Sequence, residues 1–200
     1  MGSLHPAVAA PLGDVVTRRL SVRRLNLDDL DELAAIFANT DVWRFEYGRG
    51  LKRIETEAFL TRQLKLWVDY GFGGCAVREV DGAELVGVVG LAVPTGMQEH
   101  LPSVTVGWRF SPTFWGKGYA SEATTAVLDQ AFTTMALDRV GCVTGAENLR
   151  SVALAERLGM SFITEAPVQR DDGKGTVSVA LFHIARDDWL AARARARPNA

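Results

Sequence analysis

The stretch Ser111-Pro-Thr-Phe-Trp-Gly-Lys-Gly-Tyr-Ala-Ser121 holds residues whose types and spacing could do chemistry. Two glycines one residue apart let the backbone approach a ligand closely and take dihedrals closed to other residues. A strand-like pattern precedes the stretch and a helix-like pattern follows it. The first amide N–H groups of a helix have no intrahelical partner, and the macrodipole places roughly half a positive charge there. Strand, glycine turn and helix N-terminus together make an anion site suited to a phosphate. An ordinary connecting turn is the plain alternative. A Walker loop is excluded, because Gly118 follows Lys117 where Ser or Thr is needed and no glycine has the required upstream spacing. Gly71-Phe-Gly-Gly-Cys-Ala76 fits a loose dinucleotide pattern, but it leads into a strand and opens no helix.

The elements that must position this stretch follow from periodicity. Residues 17–26 place Leu20 and Val22 on one side, as a strand would. Asp28 and Asp29 stand where a helix starts, with Leu30, Leu33, Ala34 and Phe37 at helical spacing. A second helix is expected over 55–70, closed by Gly71. Strands are expected at 74–80, 84–93 and 103–110, the first two joined by an Asp81-Gly82 hairpin turn. A helix over 121–135, a strand at 139–144, a helix at 149–158 and strands near 161–167 and 176–184 complete the order. Residues 1–16 read as a loose arm and residues 187–200 as a short, partly frayed helical tail around one domain at 17–186. Antiparallel strands mixed with crossover helices imply a single three-layer α/β domain (α+β in some schemes), its mixed sheet mostly antiparallel and flanked by helices.

The segment WGKGYASEA at 115–123 resembles motif A of the GNAT N-acetyltransferases, in particular the Rim-type branch that acetylates ribosomal-protein N-termini. Asn148-Leu-Arg-Ser151 followed by Ala155-Glu-Arg-Leu-Gly-Met160 resembles that branch's second signature, with Met160 in place of an aromatic. The similarity of spacing and element order runs from about residue 17 to 186. The resemblance implies acetyl-CoA, or another short acyl-CoA, as co-substrate. It implies that the amides of Gly116, Gly118, Tyr119, Ala120 and Ser121 receive the CoA pyrophosphate, with Lys117 adding positive charge. The strand ending at Trp108-Arg109-Phe110 would pair through its backbone with the pantetheine arm, in a wedge where it splays from the 139–144 strand. Asn148 would bond the CoA arm, although it also suits a helix N-cap. Ser151 would sit near the sulfur and protonate the leaving thiolate.

Amide formation also needs a neutral amine and a donor to the carbonyl oxygen, for which a backbone N–H near Phe110 is the candidate. A base is harder to find. The branch often carries Glu in an E-x-G strand motif, and this chain has Thr105-Val-Gly107. Glu99 and His100 on the preceding loop, and Glu46, are the substitutes; His100 titrates in the useful range. Water-relayed deprotonation of an α-amine is the other route. Glu122 suits a dipole or capping role in the first helical turn. Residues 41–53 mix aromatics, an acid and bases, and read either as a clasp for a peptide terminus or as an exposed interhelical loop. Arg44 or Arg49 would pair with the extra carboxylate if succinyl-CoA were the donor.

Composition narrows the class. The 200 residues carry a formal net charge of -2, with 22 basic and 24 acidic side chains, which argues against a general nucleic-acid binder. Cys75 and Cys142 are too few for a disulfide framework, and Cys142 sits in an apolar run as a buried free thiol would. The three histidines lack metal-ligand spacing, so no metal is expected. Apolar runs stop at strand length, so no membrane partner is expected, and the cytoplasm is the default location. The expected partners are an acyl-CoA and an amine, a protein N-terminus or a small molecule, with a homodimer left open. A CoA-binding sensor or an inactive module of the same fold is the competing class, and Thr105 supports it.

Overall fold

The computed structural model describes residue 6 and residues 8–94, 100–169 and 175–196. The elements, in chain order, are β1 (Val15–Val16), β2 (Leu20–Arg24), α1 (Leu30–Phe37), α2 (Thr40–Tyr47), α3 (Arg53–Tyr70), β3 (Gly74–Glu79), β4 (Leu85–Ala92), β5 (Thr105–Phe110), α4 (Tyr119–Thr133), β6 (Arg139–Gly145), α5 (Leu149–Arg157), β7 (Ser161–Gln169), β8 (Thr176–Ala185) and α6 (Arg186–Ala196). Short 3-10 turns at Leu27–Asp29 and Pro112–Phe114 lead into α1 and toward α4.

Among the described residues the strands form one sheet in the order β1-β2-β3-β4-β5-β6-β8-β7. Every neighbouring pair is antiparallel except β5 with β6, which are parallel and register only at Thr105 and Gly141. The sheet therefore opens into a wedge beyond Thr105, as the resemblance implied. β3 and β4 are buried on both faces, which is why their sequences read as continuous apolar runs. Two cores lie on opposite faces. One joins α4, α5 and α6 to the sheet through Val127, Phe132, Leu154 and Trp189. The other joins α1, α2 and α3 to β3 and β4 through Leu33, Phe37, Trp43 and Leu60. The three-layer expectation holds.

Three local expectations change. Residues 41–47, read as clasp or loop, form α2, capped by the Asn39 side chain at one end and by Gly48 with φ 67° at the other. Residues 8–16, read as a loose arm, are tied down. Ala9 N–H donates to Met135, Leu12 N–H to Gly71, and Gly13 N–H to the Gln130 side chain, while Leu12 is buried. The tail is a docked helix, because Trp189 is buried and its indole donates to Asp129 at 2.9 Å. Gly71 ends α3 in the left-handed conformation and leads into β3, so the dinucleotide-like string there is a helix cap.

Candidate active site

The glycine turn forms a cradle of main-chain N–H groups at the head of α4. Gly116 and Gly118 both hold φ at 78°, where a side chain is strained, and α4 begins at Tyr119 with Gly118 as its N-cap. That start lies two residues earlier than expected, so Tyr119, Ala120 and Ser121 are the first three helical residues. Among the described residues, no main-chain N–H from Gly116 to Ser121 donates to a protein acceptor. Successive free N–H groups in such a turn form an anion-binding concavity. A Cβ added at Gly116 would meet open space, so the cradle faces outward rather than into packing.

Neighbouring side chains hold the cradle in place. Arg19 donates from Nη1 to the Lys117 carbonyl at 2.9 Å and from Nε to Glu122 at 2.7 Å. Glu122 also accepts from Thr17 Oγ1 at 2.6 Å and from Arg19 N–H at 3.0 Å. Burial pushes the Glu122 carboxyl up, but the hydrogen bonds from Thr17 and Arg19 outweigh it and hold the group below the usual range. Glu122 thus fastens the β1–β2 connection to the first turn of α4. The Tyr119 hydroxyl donates to Glu79, with Arg19 4.7 Å above its ring. Lys117 Nζ lies 4.7 Å from the Phe114 ring, exposed beside the cradle.

The wedge lies next to it. Ser111 N–H donates to the Val86 carbonyl, which places Thr105, Gly107 and Arg109 in hydrogen-bonding register with β4. The amides of Val106, Trp108 and Phe110 therefore point away from β4, toward β6. The Trp108 carbonyl accepts from Arg109 Nη1 at 2.8 Å and the Phe110 carbonyl from Trp115 Nε1 at 2.9 Å. The N–H groups of Trp108 and Phe110 face the open wedge. Arg109, expected to use its backbone, spends that backbone on β4 and offers its side chain instead.

The two sequence motifs meet across this wedge. Arg150 lies 4.8 Å over the Trp115 ring, and Trp108 Nε1 donates to Ser151 Oγ at 3.2 Å. Asn148 caps α5, its Oδ1 accepting from Ser151 N–H at 3.3 Å. Its side-chain amide has no protein partner among the described residues. The Ser151 hydroxyl accepts from the indole, so its own proton stays free to be donated.

On the face of β5 that α2 covers lies a cavity of about 200 Å3, lined by Trp43, Phe59, Gln63, Thr105, Gly107, Arg109 and Val143 among others. α2, which the sequence reading missed, packs over it. Glu46 bonds Arg109 at 2.6 Å, and Phe45 closes on Gly145. The Asn39 cap, the Gly48 stop and the Trp43–Tyr47 spacing were the signals available for this helix. Thr105, at the position where the resemblance expects a carboxylate, donates to the Ala92 carbonyl at 3.3 Å. His100 is exposed on the loop before β5, outside the cavity lining, and Glu99 lies outside the described residues. Arg49 forms a two-pronged pair with Glu55, and Arg44 is exposed; neither lines the cavity. Both cysteines are buried free thiols that burial pushes up to about 12. Among the described residues no cluster could hold a metal ion and no helix is long and apolar enough to cross a membrane.

A splayed mixed sheet with an anion cradle at the wedge defines an acetyltransferase architecture. The family model for the acetyltransferase (GNAT) domain matches residues 19–161, and the chain belongs to that family of N-acetyltransferases. The chain is 28% identical over 151 residues to the uncharacterised N-acetyltransferase YoaA of Bacillus subtilis, covering 72% of this chain and 80% of that one. It is 25% identical over 181 residues to N-acetyltransferase p20 of Bacillus licheniformis, covering 86% and 96%. Among solved structures, a GNAT-family acetyltransferase from Bacillus anthracis superposes with a TM-score of 0.72 at 23% identity, over 87% of this chain and 99% of that one. A ribosomal-protein-S5-alanine acetyltransferase from Vibrio fischeri superposes at 0.69 with 17% identity, over 88% and 98%.

Proposed function

We propose that the chain transfers an acetyl group from acetyl-CoA to a primary amine by direct attack, with both substrates bound together. The observation that carries this reading is the row of unpartnered N–H groups from Gly116 to Ser121 at the head of α4, opening beside the wedge. The cradle suits a diphosphate and the β5 edge suits an amide-bearing arm, with Asn148 able to donate from its free side-chain amide. The thioester supplies the activated acyl group. The N–H of Phe110 or Trp108 would receive the charge that develops on its carbonyl oxygen. Ser151, oriented by Trp108, would return a proton to the departing sulfur. Both cysteines are buried, and burial pushes their thiols up to about 12, away from the thiolate that a covalent relay would need. That supports direct attack over relay through the protein.

Thr105 supplies no base, so the amine enters partly neutral, which suits an α-amine of pKa about 8 better than a lysine near ~10.4. This favours a Rim-like acceptor, a protein N-terminus or small α-amine, in a cytoplasmic setting. A CoA-binding module without turnover is the second reading, favoured by that same threonine. Calorimetric titration with acetyl-CoA, followed by thiol release over a panel of amines and peptides, tests both. Binding that Gly118→Trp abolishes without lowering the melting temperature by more than a few degrees supports the cradle; undiminished binding removes it. Binding without release for any amine favours the non-catalytic module.

A further inference from the structure

The cavity beside the wedge has a position, a size and a charge of its own. Along β5, Val106, Trp108 and Phe110 send their side chains into the core under α4. Alternation therefore turns Thr105, Gly107 and Arg109 toward α2 and α3. Gly74, Gly90 and Gly107 stand in register across β3, β4 and β5. The first two are filled over: a Cβ at Gly74 would meet Leu25 at 2.8 Å and Gln63 at 3.2 Å, and one at Gly90 would run into the Gly73 carbonyl. A Cβ at Gly107 meets nothing within 4 Å, and Gly107 is exposed although its strand is central. Trp43, Phe59, Val88 and Val143 give the cavity apolar walls, and Gln63 and Thr105 add uncharged polar groups. Among the described residues no carboxylate lines it. The charged lining residue is Arg109, already paired with Glu46 at 2.6 Å, so a second cation entering the cavity meets no free anion.

We propose that the acceptor is a monoamine bearing an apolar group about one aromatic ring in size, and that this group lies over Gly107 between Phe59, Trp43 and Val143. Size supports a single ring. An apolar cavity of about 150 Å3 takes up benzene, so one of about 200 Å3 holds a ring and a short arm. Reach sets the arm. The Trp108 N–H faces the wedge, and Gly107 is the next residue, a step of about 3.3 Å along a strand, which one or two carbon atoms span. The walls favour an aromatic ring over an alkyl chain, because the Trp43 and Phe59 rings, inclined at 76°, offer edge and face contacts together. Charge excludes the polyamine and lysine-like acceptors, whose second ammonium would leave water to face a guanidinium. The inference rests on the acetyl-transfer reading for the amine's role as acceptor; binding of the ring does not depend on turnover.

Two readouts separate these dependencies. L-Phenylalaninamide, glycinamide and L-lysinamide share an α-amine of similar basicity and differ in the side group, a ring, a hydrogen or a cation. Thiol release on acetyl-CoA should give phenylalaninamide a kcat/KM at least tenfold above both others, as burial of a ring predicts. Calorimetry without acyl-CoA compares the product amides N-acetyl-L-phenylalaninamide and N-acetylglycinamide, and should show the same preference. Gly107→Val fills the space from the floor, and Val143→Phe fills it from the neighbouring strand. Each should erase most of both preferences, and a thermal melt shows which variants are folded and count. A tripeptide Phe-Gly-Gly that turns over as well as phenylalaninamide places the ring on a peptide N-terminus; one tenfold weaker places it on a free amine. Turnover that ranks the three amides equal, or lysinamide first, overturns this proposal and leaves acetyl transfer standing. Ring-dependent binding that the filling variants lose, with no turnover of any amine, upholds the ring site and sinks the catalytic reading. A ring preference that the folded variants keep overturns the site.

Discussion

At the residue scale the site depends on which polar groups the chain satisfies and which it leaves open. Ser151 accepts from the Trp108 indole and keeps its own proton. Ser151→Ala should lower kcat by about a hundredfold, the usual worth of a positioned proton donor, with the calorimetric Kd for acetyl-CoA nearly unchanged; unchanged kcat would remove Ser151 from the reaction. Asp29 shows the opposite logic, a carboxylate whose every contact is taken. It accepts from Arg23 at 2.6 Å, from Arg78 at 3.1 Å and from Asn26 N–H at 2.9 Å. Burial pushes its carboxyl up, but these bonds prevail and hold it below the ordinary range, as bonds from Arg78 do for Glu32. A carboxylate lowered in the folded state adds stability that is complete above about pH 5 and is lost as pH falls through its lowered value. Asp29→Asn should therefore cost about 3 kcal/mol at neutral pH by stranding the arginines. Urea midpoints for the variant should fall less steeply than wild type below about pH 4. Parallel midpoint curves would mean that Asp29 is not the group titrating.

At the element scale, α2 and β5 bound the cavity that the proposed reaction assigns to the acceptor. Gly107 is exposed on a central strand, and a Cβ added there meets nothing within 4 Å. Its backbone is in register with β4, so any side chain would project into the cavity. Gly107→Val should leave the melting temperature equal or higher, since glycine inside a strand costs roughly 0.5–1 kcal/mol. The same change should raise the acceptor KM at least tenfold while acetyl-CoA affinity holds. A lowered melting temperature, or an acceptor KM left unchanged, would contradict the open floor. α4 meets the opposite requirement. Its first turn must stay free of protein partners, so its anchoring comes from the side through Thr17, Arg19 and Glu122, and none of those bonds uses the cradle's N–H groups.

At the scale of the whole molecule, the sheet is two antiparallel sets joined at a single parallel register, Thr105 with Gly141. The helices hold that opening from both faces, α2 over the ends of β5 and β6 and α4 with α5 behind. An open strand edge is exposed unless something pairs with it. Hydrogen exchange should therefore find the amides of Trp108 and Phe110 fast in the free protein. Saturating acetyl-CoA should slow both, together with those from Gly118 to Ser121. Protection confined to the cradle would mean that the arm does not run along β5.

Much of this was legible in the residue order. Apolar alternation, the Asp81-Gly82 turn and the spacing of glycines around Lys117 are local properties of the chain, and they specify strands, a hairpin and a glycine turn at the head of a helix before any tertiary contact forms. The 48% apolar composition made one well-buried domain the expected outcome. What escaped was non-local. α2 has no clean apolar stripe, because Trp43 faces the core while Glu46 reaches to Arg109, 63 positions away. The loose reading of residues 8–16 failed because their partners, Gly71, Gln130 and Met135, lie far along the chain. Which face Arg109 presents, that Thr105 spends its hydroxyl on Ala92, and that the space over Gly107 stays open all depend on register and packing. Neighbours in sequence cannot encode those, since the groups that satisfy or strand a side chain are brought to it only by the folded sheet.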